Sequence, residues 1–171
     1  MRLTMQTREE IRSGLQSNIP DGARILIVSD DDSDTRRLRT LLSEAGVASD
    51  CAESITTGCE AAKSGKFQVV FSTPQLRDGS WRRLIDIANH YDLQFEVVLW
   101  AHNFDLREWA EALDNRAFDV LDAVYDQSSV VEATKCALWA AYLKGAWPSQ
   151  ATPSPPMWLK VAVERSIHCA M

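Results

Sequence analysis

The sequence has no CxxC pair and no Cys/His spacing of the kind that holds zinc. Its four cysteines, Cys51, Cys59, Cys136 and Cys169, are scattered, so neither a metal knuckle nor a redox pair is suggested and reduced thiols are expected. No GxGxxG, GxxxxGK[ST] or GxSxG occurs where its chemistry would need it, which removes the usual support for nucleotide-binding and hydrolase readings. Basic excess is absent as well: 18 Lys and Arg stand against 24 Asp and Glu, a net charge of -6. A protein that works by neutralising nucleic-acid phosphates would carry the opposite sign. No apolar run approaches the roughly 20 residues that span a bilayer. The amino terminus, MRLTMQTREE, has charges where a secretory signal has its apolar stretch. A cytoplasmic location without membrane contact is the expectation, and no internal repeat is visible.

What is there fits one domain with extensions: 171 residues, 46% apolar and 25% charged. Residues 1–22 form an amino-terminal extension. Its Thr7-x-x-Glu10 pattern is a capping box that could open a short helix through Gln16, ended by the turn residues Pro20-Asp21-Gly22. Residues 23–144 then alternate strand and helix. The apolar run Ile25 to Val28 reads as a strand buried on both faces. A helix follows, capped by Asp32 or Ser33, with Leu38, Leu41, Leu42 and Ala45 on one face and Gly46 as its stop. Further strands are predicted at about 47–52, Phe67 to Ser72, Glu96 to Trp100 and Phe118 to Leu121. Helices are predicted from Ser54 to about Lys63, Ser80 to His90, Asp105 to Asp114 and Ser129 to Leu143. Five such units predict an α/β doubly wound, five-stranded parallel sheet, with any site at the carboxyl ends of its strands. Residues 145–171 read as a linker with four prolines, then a short apolar segment around Met157, Trp158 and Leu159.

Three stretches, RILIVSDDDSDTRRLRTLLSEAG, LRDGSW and AEALDNRAFDVLDAVYD, resemble in order and spacing the CheY-like receiver domain of response regulators. The resemblance covers about residues 24–144. It implies the flavodoxin-like fold and a place in two-component phosphorelay signalling. In that family, two acids after the first strand and an aspartate ending the third hold Mg²⁺, and the aspartate accepts a phosphoryl group from a histidine kinase. A hydroxyl after the fourth strand and a lysine after the fifth bind the phosphoryl oxygens.

Carried over residue by residue, the family's positions fall here on Ser29 and Asp30 for the acidic pair, Thr73 for the phosphoacceptor, Trp100 for the hydroxyl and Ala123 for the lysine. Val120 takes the place of the switch aromatic. A shift of one residue restores neither the acceptor nor the lysine. Threonine is a weak nucleophile without an activating base, so the chain reads as a degenerate pseudo-receiver that is not an enzyme and needs no cofactor. Only a weak Mg²⁺ interaction at Asp30 is left open, since one carboxylate seldom strips Mg²⁺ of its water. The alternative is an active receiver using Mg²⁺ and an unconventional acceptor, Asp30 or Asp78.

Asp30, Asp31, Asp32 and Asp34 are expected to cap and solvate the helix start, and His90, His102 and His168 to lie at the surface or at helix ends. Trp100 is expected to close the vacated pocket as an apolar lid. Output would then be protein-protein interaction: with a histidine kinase or another regulator, or with a second copy through the helix 4, strand 5, helix 5 surface that the resemblance implies. Trp109, Leu113, Trp139, Trp147 and Trp158 are the candidate contacts, aromatics being common interface anchors.

Overall fold

Alternate residues of each central strand bury into opposite layers, and this two-sided burial is what makes those runs continuously apolar. The computed structural model describes residues 19, 20 and 22–145. Its strands are β1 (Arg24–Val28), β2 (Ala48–Ala52), β3 (Val69–Ser72), β4 (Gln75–Leu76), β5 (Gly79–Ser80), β6 (Glu96–Ala101) and β7 (Asp119–Asp122). Its helices are α1 (Asp32–Glu44), α2 (Ile55–Ala62), α3 (Arg82–His90), α4 (Leu106–Asp114) and α5 (Val130–Leu143). Five strands form one parallel sheet in the order β2-β1-β3-β6-β7, while β4 and β5 pair as a small antiparallel hairpin.

On one face Ile25, Ile27, Val69, Phe71, Val98, Trp100 and Leu121 meet Leu38 and Leu42 of α1 and Val130, Ala137 and Leu138 of α5. On the other, Leu26, Val28, Val70, Val97, Leu99 and Val120 meet Ile55 and Cys59 of α2, Leu84 of α3 and Ala112 of α4. The sheet is thus covered on both sides, as parallel pairing with helical crossovers requires. The predicted doubly wound sheet is what forms. Gly58 explains how closely α2 lies on β1: a Cβ there would meet Val28 Cγ2 at 2.7 Å. Gly46, at φ +78, turns the chain out of α1 where the pattern predicts a stop.

Local chemistry sets the helix starts. Ser54 caps α2 and Asp105 caps α4, each in a capping box. The α1 cap is Asp31, not Asp32 or Ser33: its carboxylate accepts from Ser33 N and Asp34 N. Tight turning out of β1 brings Asp31 one residue nearer the helix end than the pattern alone suggests. Among the described residues no helix is long and apolar enough to cross a membrane.

Candidate functional site

The strand order reverses direction at β1, between β2 and β3, and crevices at such a point, outside the carboxyl ends of the strands, are where doubly wound sheets bind ligands. Val28 is in register with Ser72, and Ser72 with Leu99. One residue further along each strand the sheet edge therefore carries Ser29, Thr73 and Trp100 in a row. Thr73 N donates to Val28 O at 3.1 Å. Ser29 is buried, and its hydroxyl accepts from Asp31 N at 3.1 Å. The Thr73 hydroxyl is also buried and has no hydrogen-bond partner among the described residues.

Trp100 is fully buried, but the pocket around it is not apolar. Its indole Nε1 donates to Asp34 Oδ1 at 3.0 Å, and His102 Nε2 lies 2.8 and 3.0 Å from the two oxygens of the same carboxylate. A carboxylate offers only lone pairs, so Nε2 is the protonated nitrogen of this histidine. Two expectations are corrected here, the apolar lid at Trp100 and the solvated Asp34. Asp34 is 5% exposed and so is not a solvated cap residue; a buried indole N–H needs an acceptor, and the first turn of α1 supplies it. His102 lies at the surface, as expected, and its ring also ties the end of β6 to that turn. In the sequence the partners stand 66 and 68 residues apart, beyond any local pattern.

The remaining acids are committed elsewhere. Asp30 Oδ2 accepts from Arg77 N at 2.8 Å, which fastens the β4–β5 hairpin to the end of β1. Asp78, in that hairpin, caps α2 from a distance: its oxygens accept from Ile55 N at 2.9 Å and Thr56 N at 3.0 Å. Hydrogen bonding from Thr56, by side chain and then backbone, and from Ile55 N–H holds its carboxyl down to about 2. Mg²⁺ does not fit this set. It prefers several carboxylate or water oxygens in octahedral geometry, and Ser29 and Thr73 offer neutral hydroxyls beside one already engaged carboxylate. Among the described residues no three His, Cys, Asp or Glu side chains are grouped so that they could hold a metal ion.

At the position implied for a lysine, Ala123 is buried and its carbonyl accepts from Gln127 Nε2 at 2.9 Å. Val120 is buried, and its carbonyl accepts from Trp109 Nε1 at 3.4 Å. Along this edge apolar side chains face solvent: Leu106 is 85% exposed, Tyr125 83% and Trp109 42%. Leu113 instead packs partly buried against the core. Trp139 is 2% exposed, which corrects its expected role as an outward contact. Trp147, Trp158, His168 and Cys169 lie outside the described residues, as do nearly all of the two extensions.

No protein-family model matches the sequence, and no curated protein matches it. Solved structures do match in shape. A signal receiver domain from Vibrio parahaemolyticus superposes with a TM-score of 0.66 at 17% identity, over 72% of this chain and 95% of that one. A response regulator receiver domain protein from Clostridium thermocellum gives 0.63 at 20% identity, over 71% and 98%. An adenylate cyclase structure from Rhodopirellula baltica gives 0.63 at 22% identity, over 72% and 92%. From β1 to α5, the chain has the flavodoxin-like fold of the CheY-like response-regulator receiver domain.

Proposed function

We propose that this chain is a receiver-type signalling domain that acts through protein contacts and does not accept a phosphoryl group. The observation that carries this reading is the row Ser29, Thr73, Trp100 at the strand ends. A buried threonine hydroxyl and a buried indole stand where phosphoryl transfer needs a carboxylate, a metal and a cation. Phosphoryl transfer is catalysed almost wholly by placed charge, and these three positions carry neutral side chains, while the nearby carboxylates of Asp30 and Asp34 are bonded to Arg77 N and to Trp100 and His102. Neither alternative acceptor is favoured. Asp30 is bonded to the hairpin backbone, and the charge of Asp78 is stabilised by α2, which lowers its nucleophilicity.

Signalling by contact then falls to the exposed apolar edge built by α4, β7 and the loop before α5. Leu106, Trp109, Val124 and Tyr125 lie there and fit a partner regulator, a histidine kinase or a second copy of the chain in the cytoplasm. Large exposed apolar groups gathered on one edge are the usual mark of such a surface. Intact mass after incubation with a small phosphodonor and Mg²⁺ tests the first half. The expected spectrum is unshifted; one added phosphoryl group that disappears in Asp30→Asn or Asp78→Asn overturns the reading.

A further inference from the structure

The two outer strands of the sheet differ at their free edges. Ala123 N donates to Ala101 O at 2.8 Å, so by the alternation of a parallel ladder Asp119 and Leu121 bond β6, while Val120 and Asp122 turn their backbone groups outward. All four of those groups are occupied. Val120 N donates to Asp119 Oδ1 at 2.8 Å, and Val120 O accepts from Trp109 Nε1 at 3.4 Å. Asp122 N donates to Asp126 Oδ2 at 2.8 Å, and Asp122 O accepts from Asp126 N at 2.9 Å. An edge filled in this way cannot template another strand.

β2 is open. Ser29 N donates to Ala52 O at 3.0 Å, which turns Ala48, Asp50 and Ala52 toward β1 and leaves the N–H and C=O of Ser49 and Cys51 facing outward. None of these four groups has a hydrogen-bond partner among the described residues. Neither a bulge nor a proline interrupts the strand, Cys51 is exposed, and the one charge, Asp50, is paired with Arg24 at 2.8 Å. These are the devices that keep an edge from pairing, and β2 lacks them.

We infer that β2 is where two copies of this chain join, antiparallel about a two-fold axis at Cys51, so that their two sheets run on into one. The edge complements itself in a single register. Pairing centred on Asp50 sets two carboxylates directly opposite, at the positions where side chains come closest, which is destabilising. Pairing centred on Ser49 needs Val47 N, which already bonds Leu42 O at 3.0 Å. Pairing centred on Cys51 sets Asp50 against the copy's Ala52, and Ser49 against the copy's Glu53. Charge favours this register too. Cys51 is in register with Ile27, on the α1 side of the sheet, where burial pushes its thiol up and the Arg39 charge of α1 draws it back. Glu53, two residues on, falls on the same side by alternation. With the axis perpendicular to the sheet, each Glu53 is brought toward the other copy's Arg39, and neither residue has an ion pair among the described residues. This surface is separate from the α4–β7 edge.

Sedimentation of the full chain over a range of concentrations tests this, with a reversible monomer–dimer equilibrium expected. Ser49→Pro removes an outward N–H without touching a bond to β1. It should leave the melting temperature near the native one and weaken the dimer at least about tenfold. Arg39→Glu and Glu53→Arg should each weaken it about three- to tenfold, and the double swap should return it to within about threefold of native. That rescue decides the matter even where Ser49→Pro fails to fold. In the Cys51-centred register the two Cys51 Cα atoms stand about 5.5 Å apart, within disulfide range, so mild oxidation should give a covalent dimer that Cys51→Ser abolishes. A chain that is monomeric at every concentration overturns the inference. So does a dimer that survives Ser49→Pro and both single charge reversals, or a covalent dimer that forms equally in Cys51→Ser. A dimer lost in Leu106→Asp/Tyr125→Asp also overturns it, by placing self-contact on the α4–β7 edge.

Discussion

Trp100 donates its indole N–H to Asp34 across 3.0 Å, from the end of β6 to the first turn of α1, with both side chains buried. The contact makes Asp34 the acceptor on which the closed strand edge depends. Asp34→Ala leaves that donor unpaired in the core and should destabilise the fold by about 2–3 kcal/mol; Asp34→Asn, which keeps an acceptor, should cost about 1 kcal/mol. Urea midpoints at constant m-value measure both. Equal stability in all three proteins would show that the indole finds another acceptor.

Trp100→Thr restores the residue type that the resemblance implies at this position, but empties a site of indole size. A loss of about 3–5 kcal/mol is expected for truncating a buried aromatic, with no gain of phosphorylation by intact mass. A melting temperature like the native one would count against the packing described.

Asp78 sets an acid limit on the hairpin. Its folded-state carboxyl titrates at about 2, below its ordinary value of 3.8. A depressed acid contributes stability above the unfolded value, and that contribution is lost as pH falls through the folded one. The thermal gap between the native chain and Asp78→Asn should therefore be full at pH 5 and shrink between about pH 4 and 2. A gap independent of pH in that window would separate the capping from the charge.

Glu96 starts β6, buried, and pairs with Lys144 at the end of α5. Burial pushes its carboxyl up, and Lys144 pulls it partly back. Lys144→Met strands the charge and should cost about 1–2 kcal/mol at neutral pH, less than a fully buried pair because the lysine is half exposed. A raised carboxyl binds its proton more tightly when folded, so the stability of this variant should recover as pH drops from neutral toward the unfolded value of Glu96. Melting curves at pH 5 and pH 7.5 check the sign.

Leu106→Asp and Tyr125→Asp alter exposed groups and should shift stability by no more than about 0.5 kcal/mol. Under the proposed contact function they should abolish self-association or partner capture, read by sedimentation and by pull-down with a defined partner. Unchanged binding in both would remove the α4–β7 edge from consideration.

The β/α order, the two-sided burial of the central strands, the Ser54 and Asp105 caps and the absence of an acid at Thr73 could all be read along the chain. Each rests on residues a few positions apart, where periodicity and hydrogen-bonding preference act directly. The tertiary structure alone decided which aspartate does what. Asp31 caps α1 because of how the chain leaves β1. Asp34 is buried because an indole 66 residues away needs an acceptor, and Asp78 caps a helix 23 residues behind it. Partners that meet only after folding leave no local trace, since the free energy that selects them comes from desolvating particular polar and aromatic groups together in the packed state.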